Sequence, residues 1–170
     1  MSSEVVAALL GAVAAGLLTT IISVLDHRRD ARATMVAIAS EVDSICRLIH
    51  HQEFLPYIQR QVAAIRAGAW DGRAMFIDIG GNYYSVFEAL SPQLGKLDPA
   101  MASKVVHFYA SCKSIMDMTR PDGRMAGNAD PEFVKENLIR AEALFTNILA
   151  LGDDIVRSAR IGRLASGGER

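Results

Sequence analysis

The sequence predicts an all-α protein in which a single N-terminal transmembrane helix runs on into an antiparallel helical bundle. Three observations carry this. Val5 to Leu25 reads VVAALLGAVAAGLLTTIISVL, without one charged residue. Every later segment places apolar residues three and four apart, and none sustains the alternation of a strand. Two Asp–Pro pairs, Asp98–Pro99 and Asp130–Pro131, each join an N-cap acceptor to the residue best tolerated in a first helical turn.

The uncharged run is long enough to span a bilayer. Its residues rise about 31 Å as a helix, the thickness of a hydrocarbon core, and a helix pairs its own backbone groups, as lipid requires. The beginning, MSSE, lacks the basic region of a cleaved secretory signal. A run this uniformly apolar also fits poorly as a buried helix of a small soluble domain. His27, Arg28, Arg29 and Arg32 follow at once, interrupted by Asp26 and Asp30, while no Lys or Arg precedes the run. The bias of basic residues toward the cytoplasmic flank makes these arginines a topology anchor, with a short N-terminus outside and the rest inside. Within the run, Ala8, Ala12, Gly16 and Thr20 recur every fourth residue, a small-residue ridge suited to packing of one membrane helix on another.

Asp26 to His51 contains neither Gly nor Pro, so the helix is expected to continue. Ala31, Met35, Ile38, Val42, Ile45 and Ile49 form its apolar seam, and Arg32, Glu41, Asp43 and Arg47 its polar side. Phe54 to Ala67 follows with Leu55, Ile58, Val62 and Ile65, Pro56 in the first turn and Gly68 as the stop; Trp70, Asp71 and Gly72 form a turn. A third helix is expected from Arg73 to Leu90 on Phe76, Ile79, Tyr83, Phe87 and Leu90, weakened at Gly80–Gly81 and ended by Ser91–Pro92.

After Asp98–Pro99 one face is set by Ala102, Val105, Val106, Tyr109, Cys112 and Met116. Arg120 to Asp130 reads as a loop. The last helix carries Val134, Leu138, Ala141, Phe145, Ile148 and Ile155, with Gly152 on the same seam and suited to a tight crossing. Gly162 and the Ser166–Gly168 run mark fraying. The expected organisation is an anchor over 1–26, a cytoplasmic bundle over 27–162 and a disordered tail over 163–170.

The pattern of one uncharged span, a basic stretch, a long helix, then LSPQLGKL and DPAMASKVVHFYASCKSI with its Phe108–Tyr109 pair resembles small bacterial and prophage-borne single-span membrane-anchored helical proteins of unknown function. The resemblance implies a bacterial inner membrane and supplies no catalytic or binding residue.

The residues themselves advertise little chemistry. The chain carries 18 basic and 19 acidic residues and a formal charge of -1, which provides no global field for nucleic acid. Cys46 and His50 share a helix face, with His51 and His107 elsewhere, but no CxxC or HExxH accompanies them. Asp153–Asp154 and Glu136 with Glu142 lack the Glu-x-x-His pattern of a di-metal bundle. Gly80–Gly81–Asn82 lacks the Lys-Ser/Thr of a phosphate loop, and no serine sits in a nucleophile elbow. No catalytic, metal or cofactor residue is assigned. Tyr83 and Tyr109 are expected in the core, whereas Trp70, Tyr84 and Phe108, off their seams or beside glycines, are the expected partner surface.

These readings point to a membrane-tethered interaction or scaffold module, partnered by the bilayer and by itself or another membrane protein. The alternatives are an accessory subunit of a larger membrane complex, including a prophage exclusion or lysis system, and a sensory domain holding a small apolar ligand.

Overall fold

A computed structural model describes the backbone of residues 3–72, 83–121, 123 and 130–165, and within these the side chains of 16–72, 83–121, 123 and 130–161. The regular elements among the described residues are all helices: α1 (Ser3–His51), α2 (Phe54–Arg66), α3 (Ser85–Leu90), a 3-10 helix (Ser91–Lys96), α4 (Pro99–Thr119) and α5 (Pro131–Ala165).

α1 is one unbroken helix of 49 residues, about 74 Å long. Its bundle half buries Ile38, Val42, Ile45 and Ile49, the predicted seam. In its other half the described side chains, from Gly16 to Arg29, are exposed. Leu17, Leu18, Ile21, Ile22, Val24 and Leu25 are 47–61% exposed. Among the described residues no helix is long and apolar enough to cross a membrane; positions 5–15 of the predicted span, Ala8 and Ala12 included, lie outside the described side chains.

α1 and α2 meet at a tight corner where Glu53 takes a left-handed conformation, φ 52°. α2 ends as predicted. Gly68, at φ +69°, donates to Ile65 O while Ala69 N–H reaches Ala64 O, satisfying two terminal carbonyls in the manner that favours glycine after a helix. Trp70 then folds back half-buried on the bundle, its Nε1 donating to Gln61 Oε1 at 3.1 Å.

α5 is the hub, packing against α1, α2 and α4. Val134, Leu138, Ala141, Phe145, Ile148 and Ile155 are all buried, so its predicted seam is the core. It runs antiparallel to α1, Gly152 lying against Val42 and Cys46, and Ala159 beside Ala39. It is also antiparallel to α4, through the Lys104–Asp154 ion pair at one end and Phe145 and Ile148 against Cys112 and Ile115 toward the other. A Cβ on Gly152 would overlap Cys46 Sγ and come within 3.2 Å of Phe108 Cε2 and 3.5 Å of Val42 Cγ1. The predicted tight crossing is therefore present, and glycine is what permits it.

Asp98 caps α4, accepting from Ala100 N at 3.0 Å and Met101 N at 3.3 Å. Asp130 caps α5, accepting from Glu132 N at 3.1 Å.

Four expectations need correction. First, Tyr83–Tyr84 form a turn, and the third helix among the described residues is only Ser85–Leu90; residues 73–82, with the Gly80–Gly81 question, lie outside the description. Ser91–Pro92 do not stop the chain's helical path, which tightens into the 3-10 helix and wedges with α3 between α1 and α4. Second, the predicted face of α4 holds at Val105, Tyr109 and Cys112 but not at Val106, which is 49% exposed, while Phe108 has 0% exposure. The working stripe is Val105, Phe108–Tyr109, Cys112 and Ile115, which preserves the three-and-four step without Val106. Third, Tyr83 is exposed and Tyr84 packs inward, because the turn reverses which tyrosine faces α4. Fourth, α5 passes through Gly162 to Ala165, so the helix takes in Arg163, Leu164 and Ala165 of the predicted tail.

Candidate functional site

A concavity lies where α1 leaves the bundle. The face of α1 that lines it can be read in steps of three and four: Ile22, Leu25, Arg29, Arg32 and Val36, with Arg28 and Met35 on the neighbouring ridge. Along that face the chemistry changes from apolar to basic and back to apolar within four turns. The opposite wall is the C-terminal part of α5, where Ser158 and Ala159 present little bulk. Two small residues facing long arginines leave a groove of about 620 Å³, within the range of small-molecule sites. Among the described residues, Asp26 is the one carboxylate in its lining, beside the guanidinium groups of Arg28, Arg29 and Arg32. The nearby Asp30 is held by Lys96 Nζ at 2.8 Å, which ties the 3-10 helix to α1 at the same level. The hydrogen bond and charge of Lys96 hold the Asp30 carboxyl below its usual range.

The structure thus brings Arg28, Arg29 and Arg32 to one groove, and it adds an α5 wall that sequence reasoning missed. The signal was present: Ala159 continues the α5 seam four residues beyond Ile155. Gly16 and Thr20 lie on the exposed stem, where Thr20 Oγ1 donates back to Gly16 O at 2.9 Å and a Cβ on Gly16 would meet nothing within 4 Å.

The expected partner surface is not assembled. Phe108 has 0% exposure, being clamped between α1 and α5 at Gly152. Tyr84 is half-buried, donates to Met116 Sδ and meets the Tyr109 ring edge-on at 5.7 Å. Trp70 is half-buried under Lys135, whose Nζ lies 6.0 Å from the ring centroid.

A second missed residue is Glu41, expected on the polar side of α1. It stands three residues after Ile38 and four before Ile45, so it borders the seam. Its carboxylate accepts from Tyr109 Oη at 2.6 Å, from Val86 N at 2.8 Å and from Phe87 N at 3.0 Å. It thereby starts α3 at Ser85, and the Phe87 ring stacks on Tyr109 at 4.0 Å. Burial, then the hydrogen bond to Glu41, raises the Tyr109 phenol above its ordinary range, which keeps it a donor.

The chain matches no family model, no curated protein and no solved structure.

The remaining polar residues act locally. Glu142 pairs with Arg66 at 3.3 Å, Glu136 with Arg140 at 3.4 Å and Asp154 with Lys104. Burial pushes the thiols of Cys46 and Cys112 up to about 12, which disfavours the thiolate needed by a nucleophile or metal ligand. His50 is exposed while Cys46 is buried, and among the described residues no group of His, Cys, Asp or Glu is placed to hold a metal ion. The apolar crevice between Ile45, Phe54, Tyr84 and Ile115 encloses about 40 Å³, room for about one water and an order of magnitude below a ligand pocket.

Proposed function

We propose that the chain is a membrane-tethered helical interaction module, anchored by α1 with the bundle on the cytoplasmic side. The observation that carries this reading is the contrast between the two halves of α1. The bundle half finds its partners in α2, α3 and α5. The stem half leaves six large aliphatic side chains 47–61% exposed. Covering them would recover on the order of 5–10 kcal/mol, comparable to the whole stability of a domain this size. A second apolar layer is therefore required, and the uncharged run from Val5 to Leu25 matches the depth of a bilayer. The arginines immediately beyond it support the orientation. A bundle that closes its own core, held on a surface at raised effective concentration, suits the gathering of partners.

Flotation of the full chain with phosphatidylcholine vesicles tests the anchor. The chain should float and resist extraction at alkaline pH. A chain that stays monomeric at the bottom of the gradient would refute it. Crosslinking in native membranes tests the interaction role: a discrete adduct with itself or one membrane protein is expected, and monomer alone would count against the role.

A further inference from the structure

We infer that the groove between α1 and the C-terminal turns of α5 binds one anionic phospholipid of the bilayer that holds the chain. The inference rests on the anchor reading and adds to it a built site with two walls. Leu25 ends the uncharged run. Arg28 and Arg29 stand three and four residues further, about 5–6 Å along the helix. The headgroup layer on each side of a hydrocarbon core is roughly 5–8 Å deep, so these guanidinium groups fall at phosphate depth, with Arg32 one turn beyond. Ile22 and Leu25 line the same groove on its membrane side and are about half exposed. An acyl chain can lie along them while its phosphate meets the arginines, whose planar forks suit a phosphate's oxygens.

The charge balance selects the headgroup. Among the described residues of the lining, the guanidinium groups of Arg28 and Arg29 outnumber the one carboxylate, that of Asp26, so the lining favours a net anion over a zwitterion. The α5 wall makes this more than a basic collar. Ser158 is half-buried and small, so the space opposite the arginines is kept open by a residue that carries no charge.

The test uses the full chain in mixed micelles containing equal phosphatidylglycerol and phosphatidylcholine, with retained lipid counted by native mass spectrometry. About one phosphatidylglycerol per chain should be retained in preference to phosphatidylcholine. Arg28→Gln and Arg29→Gln should each lower that preference about fivefold, while Arg66→Gln, remote from the groove, should leave it unchanged. Ser158→Leu fills the groove without altering charge and should abolish the preference; circular dichroism checks that the variant keeps its helices. Equal retention of the two lipids, or a preference that survives Ser158→Leu in a folded chain, would overturn the site and reduce the arginines to a diffuse basic collar. In either case flotation on phosphatidylcholine vesicles would persist if the anchor reading is right. Loss of flotation itself would instead remove the anchor, and the site with it.

Discussion

Replacing Gly152 by alanine puts the packing of the three longest helices to a direct test. In an open helical position the change would stabilise the fold, by about 1 kcal/mol of backbone propensity and about 0.8 kcal/mol for a buried methyl. At Gly152 the new methyl would overlap Cys46 Sγ and press on Phe108 Cε2 at 3.2 Å and Val42 Cγ1 at 3.5 Å. The sulfur stands only two bonds from the α1 backbone, and helical backbone leaves a cysteine few other rotamers. The ring and the valine close the remaining directions, since both are fully buried. Overpacking of this kind costs about 1–3 kcal/mol, and with two helices to push apart the upper end or beyond applies. Net destabilisation of about 1–2 kcal/mol is expected. The deciding measurement is a double-mutant cycle by denaturant unfolding of the full chain in detergent. In a Cys46→Ala background the severest overlap is gone and the Phe108 ring need give by only a few tenths of an ångström, so Gly152→Ala should become neutral or stabilising, a coupling of about 2–3 kcal/mol. If Gly152→Ala stabilises the chain containing Cys46, or if the cycle shows no coupling, the close approach of α1 and α5 is wrong.

Glu41→Ala removes the acceptor for Tyr109 Oη and for the first N–H groups of α3 and should cost about 2–4 kcal/mol in the same unfolding assay. Tyr109→Phe should cost less, and the two losses should not add, because they break a shared bond; full additivity would place the carboxylate elsewhere. At Asp154, the hydrogen bond and charge of Lys104 hold the folded carboxyl below its unfolded value of 3.8. Its stabilisation is therefore present above that value and lost as pH falls through the folded one. The difference in Tm between the parent and Asp154→Asn should be small, since both partners are substantially exposed. It should be widest near neutrality and close below about pH 4. A gap that widens in acid would refute the pairing.

What could be read in advance was whatever depends on one helix alone. The Asp98 and Asp130 caps, the Gly68 stop and the seams of α1 and α5 rest on local hydrogen bonding and periodicity. Gly152 was legible because a glycine on a long apolar seam has few other reasons to be there. The misreadings share a different cause: each turns on which neighbour a helix meets. Val106 and Phe108 are equally apolar, and only the position of α5 decides which is covered. Tyr83 and Tyr84 exchange places because Glu41, on another helix, fixes where α3 begins. The groove was half legible for the same reason. Three arginines after an apolar run are visible in the sequence, whereas the wall formed by Ser158 and Ala159 exists only once α5 lies antiparallel to α1.

The continuity of α1 ties these parts together. Leu25, the last residue of the uncharged run, and Thr34, the first described residue buried in the bundle, are nine positions apart, about 13 Å of helix. Neither Gly nor Pro lies between them, and sharp bends in helices need such residues or an inserted group. The bundle is therefore not flexibly leashed to its stem; it shares the stem's axis. Whatever covers Leu17 to Leu25 sets the direction of that axis, and α5, antiparallel along it, must then return its C-terminal turns toward the same boundary. An independent bundle on a flexible linker would let that end of α5 point anywhere. Here one rigid helix obliges the arginines of α1 and the small residues of α5 to face each other at the level where the apolar surface ends.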